Sequence, residues 1–430
     1  MNIICKLTEE DNFVIDADYT EHNINRSDIF TYTFWNNDSV KKFLNLPSFF
    51  SSIGLDLLYI SLFVFGADRI AYRNLAYDAW TRDFTLYIPV LDLEKWNNNK
   101  PLLEKMLSYL SGDRWNIEFR KREFTKAELK TQGKFSARRN QNGLSAKKIC
   151  MFSGGLDSFI GAIDALEDKQ DDVLFISHYG GGKGVKEYQD QLKGKLCKDY
   201  KVNEDQFFSF HAAARNGLED TTRTRSFMFF CHAVAIATCM SENVELLIPE
   251  NGLISLNIPL TNSRLGSSST RTTHPFYLEM FQTLLRDLEV DISILNPYQF
   301  KTKGEMILSC KNFEFLKKNI SITMSCSHPD QGRMIGETQT RHCGNCFPCV
   351  IRRASIVRAD ITDSTSYRDS GFADGETAKI NYKSYLIGAK KFDEKYAFLS
   401  IQKSGPIKSE INKYAELYIR GMKELRKVLE

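Results

Sequence analysis

Apolar and polar positions change rhythm along the chain. Leu55–Gly66 is an apolar run that a buried helix or a buried strand would satisfy equally. Phe84–Leu93 and Trp115–Lys121 read as strands; in the second, Trp115, Ile117 and Phe119 alternate with Asn116, Glu118 and Arg120. From Lys148 to about Asp291, short apolar runs alternate with helical stretches. Ile149–Phe152, Val173–Ser177, Phe207–Phe210 and Glu245–Pro249 read as strands. Phe159, Ile160, Ile163 and Leu166 mark one helix face, and Phe227–Met240 is an apolar helix. This alternation predicts an α/β fold with a parallel sheet, helices on both faces and ligands at the carboxyl ends of the strands. Towards the C-terminus, Ile407, Ile411, Tyr414, Tyr418, Met422, Leu425 and Leu429 step by threes and fours. That stripe predicts a helix docked on the protein's own core.

Composition adds boundaries. Phe124–Lys148 holds seven Lys/Arg and one acid, Glu128, with several Gly, Ser and Asn, and reads as a solvated linker or long hairpin. The organisation expected is therefore an α+β accessory or partner-docking domain at 1–123 and a basic linker or hairpin at 124–147. An α/β domain at 148–360 and a helical tail at 361–430 follow. With 57 Lys+Arg against 54 Asp+Glu, the net charge of +3 argues against nonspecific nucleic-acid binding as the main task. The longest apolar run, Leu57–Ala67, is too short for a membrane helix, and Met1–Asn12 lacks the apolar core of a signal peptide. A soluble, cytoplasmic, thiol-reduced protein is expected.

The strand ending at Phe152 runs into Ser153-Gly154-Gly155-Leu156-Asp157-Ser158 and then a helix. Two glycines allow a tight turn and close backbone approach to a ligand. Successive N–H groups and the helix N-terminus make an anion nest, and Ser153 and Ser158 add hydroxyl donors. No Gly-Lys-Ser/Thr follows, so this is not the Walker loop. A phosphate loop without its own lysine suits a leaving pyrophosphate, with Asp157 near Mg²⁺ or the turn backbone. Arg225, at the entry to the apolar helix, can clamp a carboxylate or phosphate. Thr302-Lys303-Gly304-Glu305 reads as a capping box, from which Lys303 can also reach a nucleotide. Asn251 closes the fourth strand at the ligand edge. The stretch 262–275, with Arg264, Arg271 and His274, either folds over a triphosphate or acidic heterocycle or forms a polar loop.

Cys326 precedes Cys343, Cys346 and Cys349, the latter three at CxxCxxC spacing. Four thiolates close a tetrahedral site for Zn²⁺ or an iron–sulfur cluster, and structural zinc is the expectation. The other six cysteines read as small buried residues.

These motifs carry a resemblance. SGGLDS after a strand resembles the signature of the PP-loop ATP pyrophosphatases, which adenylate a substrate oxygen and expel pyrophosphate. Ser177-His178-Tyr179-Gly180 and the lone cysteine before CxxCxxC resemble the QueC family of 7-cyano-7-deazaguanine synthases. The resemblance covers roughly residues 50–360. The strings PENGLISLNIPLTNSRLG, STRTTHP, TKGEM and CGNCFPC look like the QueC-like branch called QatC, associated with the Qat anti-phage system. It implies an adenine-nucleotide alpha-hydrolase-like (PP-loop, HUP/Rossmann-like) sheet, a C-terminal four-cysteine zinc knot and an extra N-terminal domain. Implied cofactors are ATP, Mg²⁺ and Zn²⁺. Ser153, Asp157, Ser158 and Arg225 are the implied catalytic residues. Phe152, Ser153, Gly154, Gly155, Leu156, Asp157 and Ser158, with Tyr179, Gly180 and Lys303, are the implied nucleotide-binding ones. Asn251, Arg264, Arg271 and His274 are implied for a deazaguanine-type substrate. The implied activity is ATP-dependent amide formation from a carboxylate in anti-phage defence, with a partner protein from the same operon docking on residues 1–145. Stretch 262–274 departs from the ordinary QueC substrate loop. The alternatives are another PP-loop adenylating reaction on nucleic acid, or a non-catalytic ATP-binding assembly subunit.

Overall fold

The computed structural model describes residues 1–138, 143–168, 172–180, 183–215, 217, 219, 223–240, 243–261 and 271–430. Ten strands are described: β1 (Asn2–Lys6), β2 (Tyr19–Asn23), β3 (Phe30–Tyr32), β4 (Asp83–Val90), β5 (Arg114–Lys121), β6 (Lys148–Met151), β7 (Val173–Tyr179), β8 (Phe207–Ala214), β9 (Val244–Leu247) and β10 (Ile292–Leu295). They form a four-stranded sheet in the order β2-β1-β4-β5 and a six-stranded sheet in the order β10-β9-β6-β7-β8-β3. The first sheet is parallel throughout; in the second only β3, against β8, is antiparallel.

The expected α/β architecture is present. In β4, Phe84, Leu86 and Ile88 turn inward and pair in register with Trp115, Ile117 and Phe119 of β5. Pro89 lies beyond the β1 register, which covers only Thr85–Tyr87, so its missing N–H costs no bond on that side. The ambiguous run Leu55–Gly66 lies in a helix, Ser52–Ile70, because packing on both sides buries it all round. The basic segment departs from the linker or hairpin expected there: Thr125 and Glu128 form a reciprocal capping box that starts a helix over Lys126–Ala137.

The N-terminal strands do not stand apart from the nucleotide half. One apolar core joins Ile3, Leu86 and Ile117 with Leu174, Phe208, Phe210 and Leu246. β3 supplies the last strand of the second sheet, and Phe34 stacks on Phe210 at 5.2 Å. A second core gathers Phe159, Ile160, Ile163 and Leu166 of the helix Leu156–Asp168 against Leu192, Ile307 and Ile356. The C-terminal stripe behaves as expected: Tyr414, Tyr418, Met422, Leu425 and Leu429 of the helix Ile411–Leu429 are buried, on a core shared with Val350 and Ile351. Among the described residues no helix is long and apolar enough to cross a membrane.

A buried charge network fastens the two sheets. Arg73 donates twice to Asp113, at 2.9 and 2.8 Å, and Arg82 bridges Asp113 at 2.7 Å and Asp68 at 2.5 Å. Asp68 in turn accepts from the backbone N–H and hydroxyl of Thr224, just ahead of the helix Arg225–Ala237. Removing one member leaves uncompensated charge in the interior. Asp113→Ala is expected to lower the unfolding free energy by about 3–5 kcal/mol. Urea denaturation measures it, and a loss near zero would overturn the role given to this network.

Candidate phosphate-loop site and cysteine cluster

β6, β7 and β9 end side by side at the point where chain order reverses across the sheet, with β6 between β7 and β9. Open α/β sheets bind ligands there. The loop after β6 makes its turn at Gly154, φ +86°, and a Cβ there would press on Gln189 Cγ at 3.0 Å. Phe152 turns its ring into the second core and contributes backbone only: its carbonyl accepts from the Ser177 hydroxyl at 2.8 Å. Ser153 is exposed, donates to Ser158 Oγ at 3.1 Å and accepts the Gly155 N–H at 3.3 Å. Ser158 donates to the Gly155 carbonyl at 3.0 Å, closing the turn on itself.

Asp157 faces inward. Its carboxylate meets the Lys303 ammonium at 3.0 Å and accepts from Asn251 Nδ2 at 2.7 Å and Asn251 N–H at 3.2 Å. Asn251 Nδ2 also reaches Glu250 Oε1 at 3.2 Å, while its own Oδ1 caps the short helix Gly252–Leu256. Burial alone would raise Asp157; the Lys303 charge and the bonds from Glu250 and Asn251 outweigh it and hold the carboxyl below its ordinary value. Glu250 moves the other way. Burial first, then the neighbouring Asp157 charge, push it well above the carboxylate range. Lys303 reaches the pair because Thr302 and Glu305 form the expected capping box at the start of its helix.

Tyr179 ends β7 half-buried, its ring 5.1 Å from that of His211. Gly180 follows in open space. Arg225 is exposed in the first turn of its helix, near enough to His178 to help depress that imidazole after burial and His232. Arg271 and His274 take other partners. Arg271 donates to the Tyr109 carbonyl at 2.8 Å and lies over that ring; His274 caps the helix Pro275–Asp287 through Nδ1, and burial with the Arg271 charge pushes it down to about 3. Arg264 lies outside the described residues.

Three residues beyond the sequence-based choice belong to this edge. Glu250 adjoins Asn251, and its strand-end position is the one signal that marks it in the sequence. Gln189, buried on the helix Lys183–Tyr200, donates to the carbonyls of Ser153 at 3.1 Å and His178 at 3.0 Å, joining two strand ends. Ser325 accepts the Leu156 N–H at 3.2 Å. No local pattern marks either of these two, because each acts across the fold.

The four predicted cysteines converge. All four Sγ atoms lie within 4.8 Å of one another, with Cys326–Cys346 and Cys343–Cys349 both at 4.0 Å. A tetrahedral centre with Zn–S bonds of about 2.3 Å sets sulfurs a little under 4 Å apart, so the donor set is compatible with a zinc knot. Backbone N–H groups of His328 and Cys343 point at Cys326 Sγ, and that of Cys346 at Cys343 Sγ, favouring thiolates. Gly344, φ +89°, makes the knuckle; a Cβ there would strike the Asp369 carbonyl at 2.1 Å. The other six cysteines lie outside this cluster, five of them buried and Cys197 half-buried.

The upward shift of Glu250 predicts a pH signature. Unfolded, this carboxyl ionises near 4.5; folded, it does so well above that. Unfolding therefore releases a proton, and stability falls as pH rises above 4.5 until the folded pKa is passed. Asp157, shifted down, adds stability lost only in acid. Glu250→Gln keeps the shape without the titration, so its stability relative to the wild type should rise from about pH 5 to about pH 8. Denaturation series at both pH values check this; a gap independent of pH would refute the upward shift.

No protein-family model matches the chain. Over 110 residues it is 32% identical to curated 7-cyano-7-deazaguanine synthases, including those of Brucella ovis, Brucella abortus and Brucella melitensis. The match takes in 25% of this chain and 42% of each relative, so the chain spans less than half the length of the curated relatives it matches. This is a distant relationship to the QueC synthases, and it supports an ATP-using enzyme of PP-loop type.

Proposed function

We propose that the chain is an ATP-dependent amide ligase that adenylates the carboxylate of a 7-carboxy-7-deazaguanine-type base and passes the acyl group to an amine, in anti-phage defence. The observation that carries this reading is the self-closed serine-glycine turn at the sheet's reversal point, with the Asp157–Lys303–Glu250 cluster directly beneath. Partial similarity to 7-cyano-7-deazaguanine synthases supports the substrate class.

The chemistry follows from leaving groups. A carboxylate expels oxide too poorly to be an acyl donor. In the proposed reaction a carboxylate oxygen attacks the α-phosphorus of ATP, an acyl–O–P bond forms, and the Pα–O–Pβ bond breaks to release pyrophosphate. The Ser153 and Ser158 hydroxyls and the N–H groups at the start of the loop helix would receive that charge. An amine nitrogen then attacks the carbonyl carbon, AMP leaves, and the nitrogen gives up a proton. Mg²⁺, when present, offsets charge between the phosphates. Asp157 could hold it, but Lys303 already pairs with that carboxylate, so the ion is read as arriving on the triphosphate.

The test is ATP–pyrophosphate exchange in the presence of deazaguanine acids, with mass measurement of any amide or nitrile product. Wild-type protein should exchange only with an acid of this class, and Ser153→Ala should lose about 100-fold in rate at unchanged melting temperature. Exchange that ignores every such acid, or a fully active Ser153→Ala, would reject the reading.

A protein acceptor or partner at the N-terminal region is part of the same proposal. What supports it is an exposed apolar loop, Tyr72, Leu75 and Tyr77, next to Trp80, whose ring lies under Arg223 two residues before Arg225. Leu75→Asp with Tyr77→Asp should abolish co-purification with the operon partner while leaving ATP binding intact. Undiminished co-purification would remove this surface from consideration.

A further inference from the structure

The cysteine cluster and the phosphate loop share a strap. Thr323–Cys326 runs from the second core to the first metal-binding thiol, and on its way it crosses the loop. Met324 N–H donates to the Gly154 carbonyl at 2.8 Å, and Ser325 Oγ accepts the Leu156 N–H at 3.2 Å. Leu156 opens the loop helix, so its N–H is one of the donors a helix start leaves without an internal partner. The strap is tied at both ends. Fully buried Arg352, on the helix that carries Cys349, donates to Thr323 Oγ1 at 2.6 Å and to the Ile320 carbonyl at 2.6 Å. At the other end, Ser325 N–H donates to His342 Nε2 at 3.1 Å, beside Cys343, and Cys326 Sγ accepts the Cys343 N–H.

We propose that Ser325 is a positioning residue of the nucleotide site, and that the strap makes the shape of the phosphate loop depend on metal loading of the four-cysteine cluster. The affinity half of this proposal rests on the nucleotide reading above; the coupling of loop to cluster does not. With metal bound, Cys326 is fixed relative to Cys343, Cys346 and Cys349, and Ser325 one residue earlier is fixed over the loop helix. Without metal, four clustered thiols lose their common centre, and the strap keeps Arg352 at one end but at the other only the bond to His342, beside a cysteine no longer held. The loop keeps its internal serine bonds and Gln189, yet the Gly154 carbonyl and Leu156 N–H lose their external partners together. Gln189 holds the loop on the side of β7 and Ser325 on the side of the cluster. Removing either should loosen the turn without opening the core.

Two measurements on the full chain decide the matter. Hydrogen exchange of peptides covering residues 152–158, read without nucleotide, reports the loop directly. Calorimetric titration with ATP and with inorganic pyrophosphate reports affinity. Ser325→Ala should speed exchange at 152–158 and weaken both ligands about tenfold, with the melting transition nearly unmoved. Ser325→Thr, which keeps the hydroxyl, should restore both. Zinc chelation of the wild type should speed exchange at 152–158 as well as at 326–349; applied to Ser325→Ala it should add less at the loop than it does to the wild type, only the Met324 bond to Gly154 remaining to be lost. Chelation that loosens only 326–349, or full additivity with Ser325→Ala, overturns the coupling. If wild-type protein binds neither ligand, the nucleotide reading and the affinity half fail, while the exchange data still decide the strap.

Discussion

An ammonium group buried against a carboxylate is the constraint on which this ligand edge depends. Lys303 and Asp157 are both almost fully buried, and each would be costly to bury alone. Their pairing joins the helix after β6 to the helix after β10, and Asn251 brings in the end of β9 through the same carboxylate. Three loops far apart in sequence thus converge on one charge. Glu250 stands beside them through Asn251, its carboxyl pushed above the usual range by burial and by the Asp157 charge. The local order of the turn follows: a loop helix anchored at Asp157 presents Ser153 outward and buries Phe152 behind it.

The N-terminal sheet is tied to that edge by the same kind of interaction. Asp68 and Asp113 bury two guanidinium groups, and Asp68 extends the network to Thr224 at the head of the helix carrying Arg225. β3 lies along β8, where an exposed strand would otherwise offer unpaired backbone groups. Residues 1–123 therefore contribute core, a sheet edge and an interior charge network to the half that carries β6–β10. A pure appendage would share none of these.

What the sequence made legible was local. Gly-Gly between two serines, a Thr-x-x-Glu box and CxxCxxC spacing each act within a few residues, and the turn, the cap and the thiol cluster all form where those patterns stand. β6 and β9, four residues each, are legible as apolar runs between turns and helices; β2, with a single apolar residue, offers no such run, and β1, β3 and β10 go unread. The segment at Phe124–Lys148 misleads because its lysines sit on a solvated helix face, and its one helix signal is the capping box at Thr125 and Glu128. Gln189, Glu250 and Ser325 escape for a further reason: each acts through a bond that only the sheet order creates. Arg271 and His274, chosen for their chemistry, bond to Tyr109 and to a helix start.

The candidate phosphate loop has no lysine of its own, and Lys303 is already committed to Asp157. Neutral groups do the holding: Gln189 on two carbonyls, Ser325 on an N–H, Met324 on the Gly154 carbonyl. Such a turn receives an anion through backbone dipoles and hydroxyls, which favour negative charge without the long reach of a full cation. For a reaction that must let pyrophosphate go, that is the better arrangement, because a product gripped by a buried ammonium would leave slowly. It also explains why the loop needs support from so many sides. Dipoles help only when they are already aimed, so the stabilisation depends on rigid positioning by the strand ends, Gln189 and the strap.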